Sequence, residues 1–381
     1  MIKILLLIDY SSEFDRKLLR GLVQYSKENG PWLFYRLPSY YSAMYGEQGI
    51  LKWAKEWKAD AIIGQWNNDT IDLQKELNIP VVLQNYHHRS GTYSNLTGDY
   101  KGTGRMAAQF FAKRMFRNFA YFGVKGVVWS DERSQGYRQE VKRMGGEYFS
   151  FESDKQEDEI RMEVSQWLQE LPKPVALFCC DDAHALFISE TCKMTNIPIP
   201  EEIALLGVDN DELMCNISDP PISSIELEVE RGGYSIGRLI HQQIKKEHEG
   251  SFNIVINPIR IELRQSTEKH NIKDPYILEV VKYIETHYGS DLTIESLLAN
   301  IPLSRRNFEV KFKNALNTSI YQYILNCRCN HLADLLLTTD RPLADLAMEV
   351  GFTDYNNIAR IFKKFKGCSP IEYRQKKTRQ R

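Results

Sequence analysis

Apolar runs alternate with amphipathic segments along the first 263 residues of the chain. The apolar runs predict strands at residues 3–8, 32–35, 61–63, 81–83, 119–122, 175–179, 204–207 and 253–262. Apolar residues at helical spacing predict helices at residues 14–28, 100–114, 135–144, 158–169, 182–194 and 229–247. Continuous apolar strands that alternate with helices are typical of parallel sheets covered on both faces. Because so many strands exceed one compact unit, we expect an α/β fold of two similar lobes, the second beginning near Phe119.

The pattern changes after the last of these strands. Residues 264–273 are polar and lack periodicity, and Pro275 can open a helix, so we interpret them as a linker. Helical spacing of apolar residues then continues from Tyr276 to the end of the chain. We therefore predict a two-lobed domain over residues 1–263 and an all-α domain over residues 274–381.

The helical part contains two helix-turn-helix patterns, at about residues 292–313 and 342–365. Each has a short amphipathic helix, a tight turn and a second helix opened by a polar cap, which we assign to Ser304 and to Thr353 or Asp354. Such a unit places side chains in a DNA major groove. A charged helix face is commonly only solvated, but two units joined by a long amphipathic helix favour DNA binding.

The outward faces of the two second helices supply the candidate DNA contacts. Since Arg pairs bidentately with guanine and Asn with adenine, we assign base contacts to one group of residues: Arg306, Glu309, Val310, Tyr355, Asn356 and Arg360. Contacts to phosphates set affinity and salt dependence rather than sequence choice. We assign them to a second group: Ser304, Arg305, Lys311, Thr353, Lys363, Lys364 and Arg374.

Composition and charge are consistent with this division. The apolar fraction of 43% and charged fraction of 26% are those of soluble globular proteins. The net charge is +4 from Asp274 onward and −5 before it, as expected of a DNA-binding part behind an acidic body. Without a membrane-length apolar run or a signal peptide, and with seven scattered cysteines, the sequence predicts a cytoplasmic protein with reduced structural thiols.

Polar and aromatic side chains collect where the predicted parallel strands end. Ligands bind beyond the carboxyl ends of strands in such sheets, and this composition is typical of a sugar cleft. Catalytic motifs are absent from the sequence: it contains no P-loop, nucleophile elbow, dinucleotide fingerprint or zinc-protease motif. We therefore predict no enzyme activity, no cofactor and no metal, and we interpret His87 and His88 as exposed loop residues. An exported solute-binding protein would need a signal peptide.

The C-terminal part resembles AraC-type transcription activators. The resemblance rests on Gly351-Phe352, on residues 362–367 (FKKFKG) and on residues 369–374 (SPIEYR). Residues 303–306 (LSRR) are similar to the family's first recognition helix. Two positions depart from the family: Val310 stands where a polar or basic residue is common, and Cys329 follows Arg328 where Leu is usual.

The front part resembles the ligand domain of LacI-type repressors and periplasmic sugar-binding proteins. The matching segments are Arg133-x-x-Gly136-Tyr137, residues 197–210 (IPIPEEIALLGVDN) and residues 220–225 (PPISSI). The resemblance implies that Arg133 and Asp209 hydrogen-bond sugar hydroxyls, although they could instead form a structural ion pair. It also brings Phe14, Asn85 and Asp181 to the predicted ligand site. Asp15, Arg16 and Trp66 join them from the polar and aromatic residues that collect at the strand ends, which makes six further candidates.

Three of these six have alternative interpretations. Trp66 either stacks on the sugar or belongs to the core, and Asn85 stands where Asp is common. Asp181 or Asp182 is the N-cap of the following helix. Together the two resemblances imply an activator that responds to a pentose, D-xylose or an alternative such as L-arabinose. They imply a homodimer that binds double-stranded DNA and acts on RNA polymerase; repression remains an alternative.

Overall fold

The structure is a computed structural model that describes most of the chain in two compact units, residues 1–269 and 270–381. The described residues are 1–8, 11–37, 39–66, 72–248, 250–268, 272, 274–299, 301–316, 318–339, 341–352 and 355–379. Within them, side chains are not described at residues 39–43, 74, 337–338, 355–356 and 375–379. No helix in this described part of the chain combines the length and apolar character that a membrane crossing needs.

The first unit contains two six-stranded sheets. The strands are β1 Ile2–Leu7, β2 Trp32–Arg36, β3 Ala61–Gly64, β4 Val81–Leu83, β5 Ser94–Gly98, β6 Asn118–Val124, β7 Glu147–Ser153, β8 Val175–Cys179, β9 Ile203–Val208, β10 Ser223–Leu227, β11 Asn253–Ile256 and β12 Pro258–Glu262. One sheet has the order β11-β5-β4-β3-β1-β2 and forms the first lobe; the other has the order β12-β10-β9-β8-β6-β7 and forms the second. All neighbouring strands are parallel except β10 and β12. The predicted two-lobed α/β fold is confirmed.

Helices connect the strands of the first unit and cover the sheets. They are α1 Glu13–Asn29, α2 Ser39–Trp57, α3 Leu73–Leu77, α4 Tyr100–Lys113, α5 Val128–Arg143, α6 Glu157–Glu170, α7 Asp182–Met194, α8 Glu212–Ile217 and α9 Val229–Ile244. The chain passes between the lobes three times: through α4, through α9 and directly from β11 to β12. The predicted cleft at the carboxyl ends of the strands would therefore be bordered by both lobes.

The packing of α4 against α5 explains one glycine of the sequence motif. A Cβ at Gly136 would lie 2.1 Å from the carbonyl oxygen of Lys101, and one at Gly104 would lie 2.1 Å from that of Arg133. Neither helix tolerates a side chain at this crossing. Gly102 to Arg105, which could suggest a phosphate cradle in sequence, thus lies in α4 at a close helix contact.

The second unit is helical throughout its described residues. Its helices are α10 Pro275–His287, α11 Ile294–Leu298, α12 Arg305–Leu316, α13 Ile320–Thr338, α14 Leu343–Glu349, α15 Tyr355–Lys366 and α16 Pro370–Arg379. The two predicted helix-turn-helix units are the pairs α11–α12 and α14–α15. Phe308, Phe312 and Phe362 are fully buried, so the second helix of each pair packs an aromatic face inward.

The turn between α14 and α15 depends on Gly351. This residue has φ +89°, and a Cβ there would lie 2.8 Å from the carbonyl oxygen of Tyr288. Arg328 fills the adjacent space and donates Nε to the same carbonyl oxygen at 2.8 Å and Nη2 to that of Ser290 at 2.8 Å. The glycine and the arginine therefore hold the second helix-turn-helix unit against the end of α10.

The beginning of the predicted linker makes ordered contacts with the first unit. Residues Gln265–Thr267 form a 3-10 turn, and both Ser266 and Thr267 are buried. The Ser266 hydroxyl donates to the carbonyl oxygen of Leu205 at 2.6 Å. The polar side chains of Arg264 to Thr267 find hydrogen-bond partners in the first unit, so these residues belong to it. For the residues after Thr267, the linker stays a prediction.

Candidate functional site

Arg133 lies in the first half of α5 and points to the carboxyl ends of the second-lobe strands. Its guanidinium donates Nη1 to the carbonyl oxygen of Cys180, just after β8. Its central carbon lies 5.5 Å from the ring centroids of both Tyr100 and Trp129. Arg133 is only 3% exposed. These rings and the end of β8 hold its charge in place.

Asp209 follows β9 at the same edge of the sheet. Its Oδ1 lies 3.7 Å from Nη2 of Arg133, which is an ion-pair distance but too long for a hydrogen bond. Within the described part of the chain, this Oδ1 and Nε of Arg133 are buried without a hydrogen-bond partner. Buried polar atoms are nearly always paired in folded proteins, so this pair is suited to receive the hydroxyls of a ligand.

Burial affects the ionisation of the carboxylates at this edge. It raises the pKa of Asp209 to about 6, although the charge of Arg133 opposes the change. Burial, and after it the charge of Asp209, raises the pKa of Asp182 well above its ordinary value. Asp182 accepts hydrogen bonds from the Ser224 hydroxyl at 2.6 Å and from the Asp211 amide at 2.8 Å. It therefore supports the turn that carries Asp209, a role that its sequence context did not indicate.

The first-lobe residues of α1 face the same turn. Arg16 pairs with Asp211 at 3.2 Å and with Glu13 at 2.9 Å. Lys17, which the sequence analysis missed, donates Nζ to the carbonyl oxygen of Asp209 at 2.9 Å. Of the other predicted ligand residues, Phe14 is partly buried against the core and Asp15 is 4% exposed within the helix.

Trp66 and Asn85 follow neighbouring strands of the first lobe. Trp66 is 4% exposed and packs in the core with Leu51 and Leu83, so the structure places its ring in the core rather than on an open face. Asn85 accepts a hydrogen bond from the Trp66 amide through Oδ1 at 3.2 Å. Asn85 thus orders the end of β3, and it is more exposed than Trp66.

Asp181 is the N-cap of α7, as one of the two alternatives predicted. It accepts from the His184 amide at 2.8 Å, and its Oδ1 lies 2.7 Å from Nδ1 of the same histidine. Burial opposes ionisation, but the charge and hydrogen bonds of His184 lower the pKa of Asp181. Cys180, Asp181 and His184 bring three metal-ligating atoms within 4.8 Å, and the Asp181–His184 contact accounts for two of them.

Further contacts join the lobes beside the cleft. Arg89 forms a bidentate ion pair with Glu132 of α5, with N–O distances of 2.6 and 2.8 Å. The Val128 amide donates to the carbonyl oxygen of Tyr86 at 2.7 Å. His87 is exposed, and its Nδ1 lies 3.0 Å from the carbonyl oxygen of Gly126. The structure thus has the lobes in contact across the cleft edge.

In α12 the predicted base-contact residues lie on the outer face. Arg306 is exposed, Val310 is 51% exposed, and among described residues no hydrogen bond or ion pair is recorded for Arg306. Glu309 instead pairs with Arg305 at 3.1 Å. Ser304 caps the helix, accepting from the Asn307 amide at 3.4 Å. Among the predicted base-contact residues of α12, Arg306 and Val310 are therefore open to a partner.

In α15 Arg360 and Lys363 are exposed on the face opposite the buried Ile358 and Phe362. Lys364 donates to Oε1 of Gln322 at 3.0 Å in an exposed contact. Three predicted contact positions cannot be placed: Thr353 lies outside the described residues, and so do the side chains of Tyr355 and Asn356.

Three further predicted phosphate-contact residues also have partners within the protein. Lys311 forms an ion pair with Asp274 at 2.7 Å, and this hydrogen bond lowers the pKa of Asp274. Arg374 is half-buried and donates Nη2 to the carbonyl oxygen of Arg341 at 2.6 Å. Arg305 pairs with Glu295 at 2.8 Å as well as with Glu309. The sequence showed their charge but not the partners Asp274, Arg341 and Glu295, which lie far away along the chain or in the preceding helix.

Comparison with known protein families identifies one domain in each unit. Residues 108–267 match a periplasmic binding protein-like domain, and residues 297–376 match a helix-turn-helix domain. The first match contains Arg133 and Asp209, and the second contains α12 and α15.

Two curated relatives match the chain over nearly its whole length. The xylose operon regulatory proteins of Escherichia coli (strain K12) and Haemophilus influenzae are each 24% identical over 98% of this chain, covering 96% and 98% of their own lengths. Shorter matches to the C-terminal part include the melibiose operon regulatory protein of Escherichia coli, 27% identical over 31% of this chain and 40% of that protein. By name, these relatives are operon regulatory proteins.

Solved structures show the same fold. The structure of a xylose-binding transcription activator has a TM-score of 0.60 and 22% identity, covering 98% of this chain and 97% of that one. A transcriptional regulator in complex with cellobiose has a TM-score of 0.59 and 19% identity, covering 70% of this chain and 84% of that one. The 70% of this chain that the second structure covers is about the share that the first unit, residues 1–269, occupies.

Proposed function

We propose that this chain is an AraC-type transcriptional regulator with a periplasmic binding protein-like domain in front, and that a pentose controls its binding to DNA. D-xylose is the favoured effector, since the relatives that span the whole chain are named for xylose. The domain boundary that serves this function falls between residues 263 and 274. We assign the chain no catalytic role and place its action in the cytoplasm.

The unpaired polar atoms of Arg133 and Asp209 carry the proposal for the sugar site. A carboxylate and a guanidinium that face one another at 3.7 Å offer acceptors and donors to neighbouring hydroxyls. Tyr100 and Trp129 flank the guanidinium and supply aromatic surface. Phe14, Asp15, Arg16, Asn85 and Asp181 complete the proposed site, and Trp66 supports it from the core.

Binding of the sugar stabilises the closed arrangement of the lobes in this proposal. The ion pairs Arg16–Asp211 and Arg89–Glu132 join the lobes and favour the same arrangement. A ligand shifts such an equilibrium only by its differential affinity for the two states. The sugar meets this condition because Arg133 and Asp209 belong to one lobe and Arg16 to the other.

DNA recognition is assigned to the outer faces of α12 and α15. Arg306, Glu309 and Val310 on α12, and Tyr355, Asn356 and Arg360 on α15, would contact base edges. The proposed phosphate contacts are Ser304, Arg305, Lys311, Thr353, Lys363, Lys364 and Arg374. Lys311, Arg305 and Arg374 must exchange a protein partner for the phosphate. The active species is a homodimer that activates transcription through RNA polymerase.

Two measurements on the full chain test this proposal. Calorimetry against D-xylose, L-arabinose, D-ribose and hexoses should show one tight ligand, and that ligand should be D-xylose. A gel shift with the upstream DNA of its own operon should then respond to this sugar and not to the others. Protein that binds no such DNA, with or without pentoses, would contradict the regulator assignment; tight binding of L-arabinose alone would change only the effector.

A further inference from the structure

Hydrogen bonds connect the proposed sugar site to the chain segment that leaves the first unit. Arg264 donates Nη2 to Oδ1 of Asn210 at 2.9 Å, and Asn210 directly follows Asp209. The N-cap of the first helix of the second unit is Asp274, a short stretch of chain after Arg264. We propose that Arg264 is a positioning residue that transmits sugar occupancy from the Asp209–Asn210 turn to the connection with the DNA-binding unit. The inference rests on the proposed function.

The Asp209–Asn210 turn has a backbone that its surroundings must hold in place. Asp209 has φ +99° and Asn210 has φ +49°, values that residues with a side chain seldom adopt. The amide of Asp209 donates to the carbonyl oxygen of Ile225 at 2.9 Å, and that of Asn210 donates to the Ser224 hydroxyl at 3.0 Å. Such a conformation persists only under several constraints, so a new contact at the Asp209 carboxylate changes the balance of the whole turn.

The same turn is contacted from the first lobe. Nζ of Lys17 donates to the carbonyl oxygens of Asp209 at 2.9 Å and Asn210 at 3.4 Å. Arg16 reaches Asp211, the next residue. The turn therefore responds to the ligand through its carboxylate and to lobe closure through its backbone.

Two hydrogen bonds fix the guanidinium of Arg264. Its second guanidinium nitrogen, Nη1, donates to the carbonyl oxygen of Ile222 at 3.0 Å. The guanidinium is planar and rigid, so two donors held by Ile222 and Asn210 link the residue before β10 to the turn with little freedom. A movement of Asn210 is therefore passed to the Arg264 side chain.

The backbone around Arg264 is fixed as well. Its amide donates to the Ser223 hydroxyl at 2.8 Å, and that hydroxyl contacts Thr267 Oγ1 at 2.6 Å. The Ser223 amide donates to the Ser266 hydroxyl at 2.8 Å. Because residues 264–267 are bound as one piece, a change at Arg264 moves the start of the connection rather than a single side chain.

The test separates sugar binding from its effect on DNA binding in the full chain. Arg264→Ala removes both guanidinium contacts. Asn210→Gly removes only the acceptor of Arg264, and glycine accepts the left-handed backbone at this position. Arg260→Ala is the matched control, because Arg260 lies in β12, the strand just before Arg264, and pairs with Glu226 and Glu262 on the sheet.

For each variant, calorimetry without DNA gives the affinity for D-xylose. The affinity for the operon DNA is then measured with and without saturating D-xylose. We expect the first two variants to bind the sugar within about threefold of wild type. Their sugar-induced change in DNA affinity should fall by about fivefold or more, while Arg260→Ala keeps the wild-type change.

Combining Arg264→Ala with Asn210→Gly should reduce the response no further than either change alone, because both break one link. Variants that keep the full response, or that lose it together with sugar binding, would overturn the relay. If Arg264→Ala does not fold, Asn210→Gly decides the matter on the same two measurements. A wild-type chain whose DNA affinity ignores D-xylose would overturn the proposed function and, with it, this inference.

Discussion

Asp209→Asn removes the charge of the proposed sugar contact while keeping the size of the side chain. Burial raises the pKa of this carboxyl from an ordinary 3.8 to about 6. The pKa of Asp209 is higher in the folded chain than in the unfolded chain, so protonation stabilises the fold. This stabilisation is fully present below about pH 4 and is lost as the pH rises through about 6. The difference of about two pKa units means that ionised Asp209 lowers the free energy of unfolding of the wild type by about 3 kcal/mol.

Asn carries no charge at any pH, so the sugar-free variant should be more stable than wild type at pH 7.5. The Asp209 side chain is 22% exposed, so solvent screens part of the cost and the gain should be about 1–3 kcal/mol. The gain should shrink as the pH falls toward 4, because wild-type Asp209 then becomes neutral too. In the same variant D-xylose should no longer raise the melting temperature, since the hydroxyls lose their charged acceptor.

Thermal unfolding of the full chain between pH 4.5 and pH 8 measures this, at about 2–4 °C per kcal/mol. Asp219→Asn is the control, because Asp219 is 82% exposed and should change little. An Asp209→Asn variant that melts below wild type by the same margin at every pH would refute the reasoning. It would mean that the fold compensates the charge of Asp209 without a ligand.

Three further predictions concern the cleft, the fold and the DNA interface. D-xylose binding should strengthen as the pH rises through about 6 and release a proton, seen by calorimetry in two buffers of different ionisation enthalpy; a flat profile would contradict ionised Asp209 as the acceptor. Gly136→Ala should cost about 1–3 kcal/mol in urea unfolding, because its Cβ would lie 2.1 Å from a carbonyl oxygen of α4, whereas Gly91→Ala, with open space around it, should cost little. Arg360→Ala should cost about 1–3 kcal/mol at its own base pair, while Lys363→Ala should weaken all sequences alike and lower the salt slope by about one; equal losses on specific and random DNA for Arg360→Ala would oppose its assignment.

The layered architecture could be predicted because buried strands and amphipathic helices leave periodic signals in sequence. The strands the sequence missed are β5, β7 and β10, which are short, at a sheet edge or rich in Ser and Asn. The helix α5 was predicted to begin at residue 135 but begins at Val128. Its first turns bury Ser130 and Arg133, and buried polar residues hide the apolar spacing on which the prediction relied.

The candidate site was only partly predictable, because side-chain partners depend on the fold. The two motifs that contain Arg133 and Asp209 indicated two side chains that lie at an ion-pair distance in the structure. Nothing in the sequence indicated that Lys17 and Arg264 contact the turn at Asp209 from two sides. Lys311 looked like a free cation because Asp274, its partner, lies in the cap of another helix. Local sequence thus locates charge, and the fold decides whether that charge is available.

The most direct test of the account is the affinity of the full chain for its operon DNA, measured by fluorescence anisotropy at rising D-xylose concentrations. Wild type should change its DNA affinity with a midpoint at the sugar dissociation constant, and Asp209→Asn should bind DNA but ignore the sugar. If Asp209→Asn responded to D-xylose as wild type does, the cleft at Arg133 and Asp209 would not be what controls DNA binding.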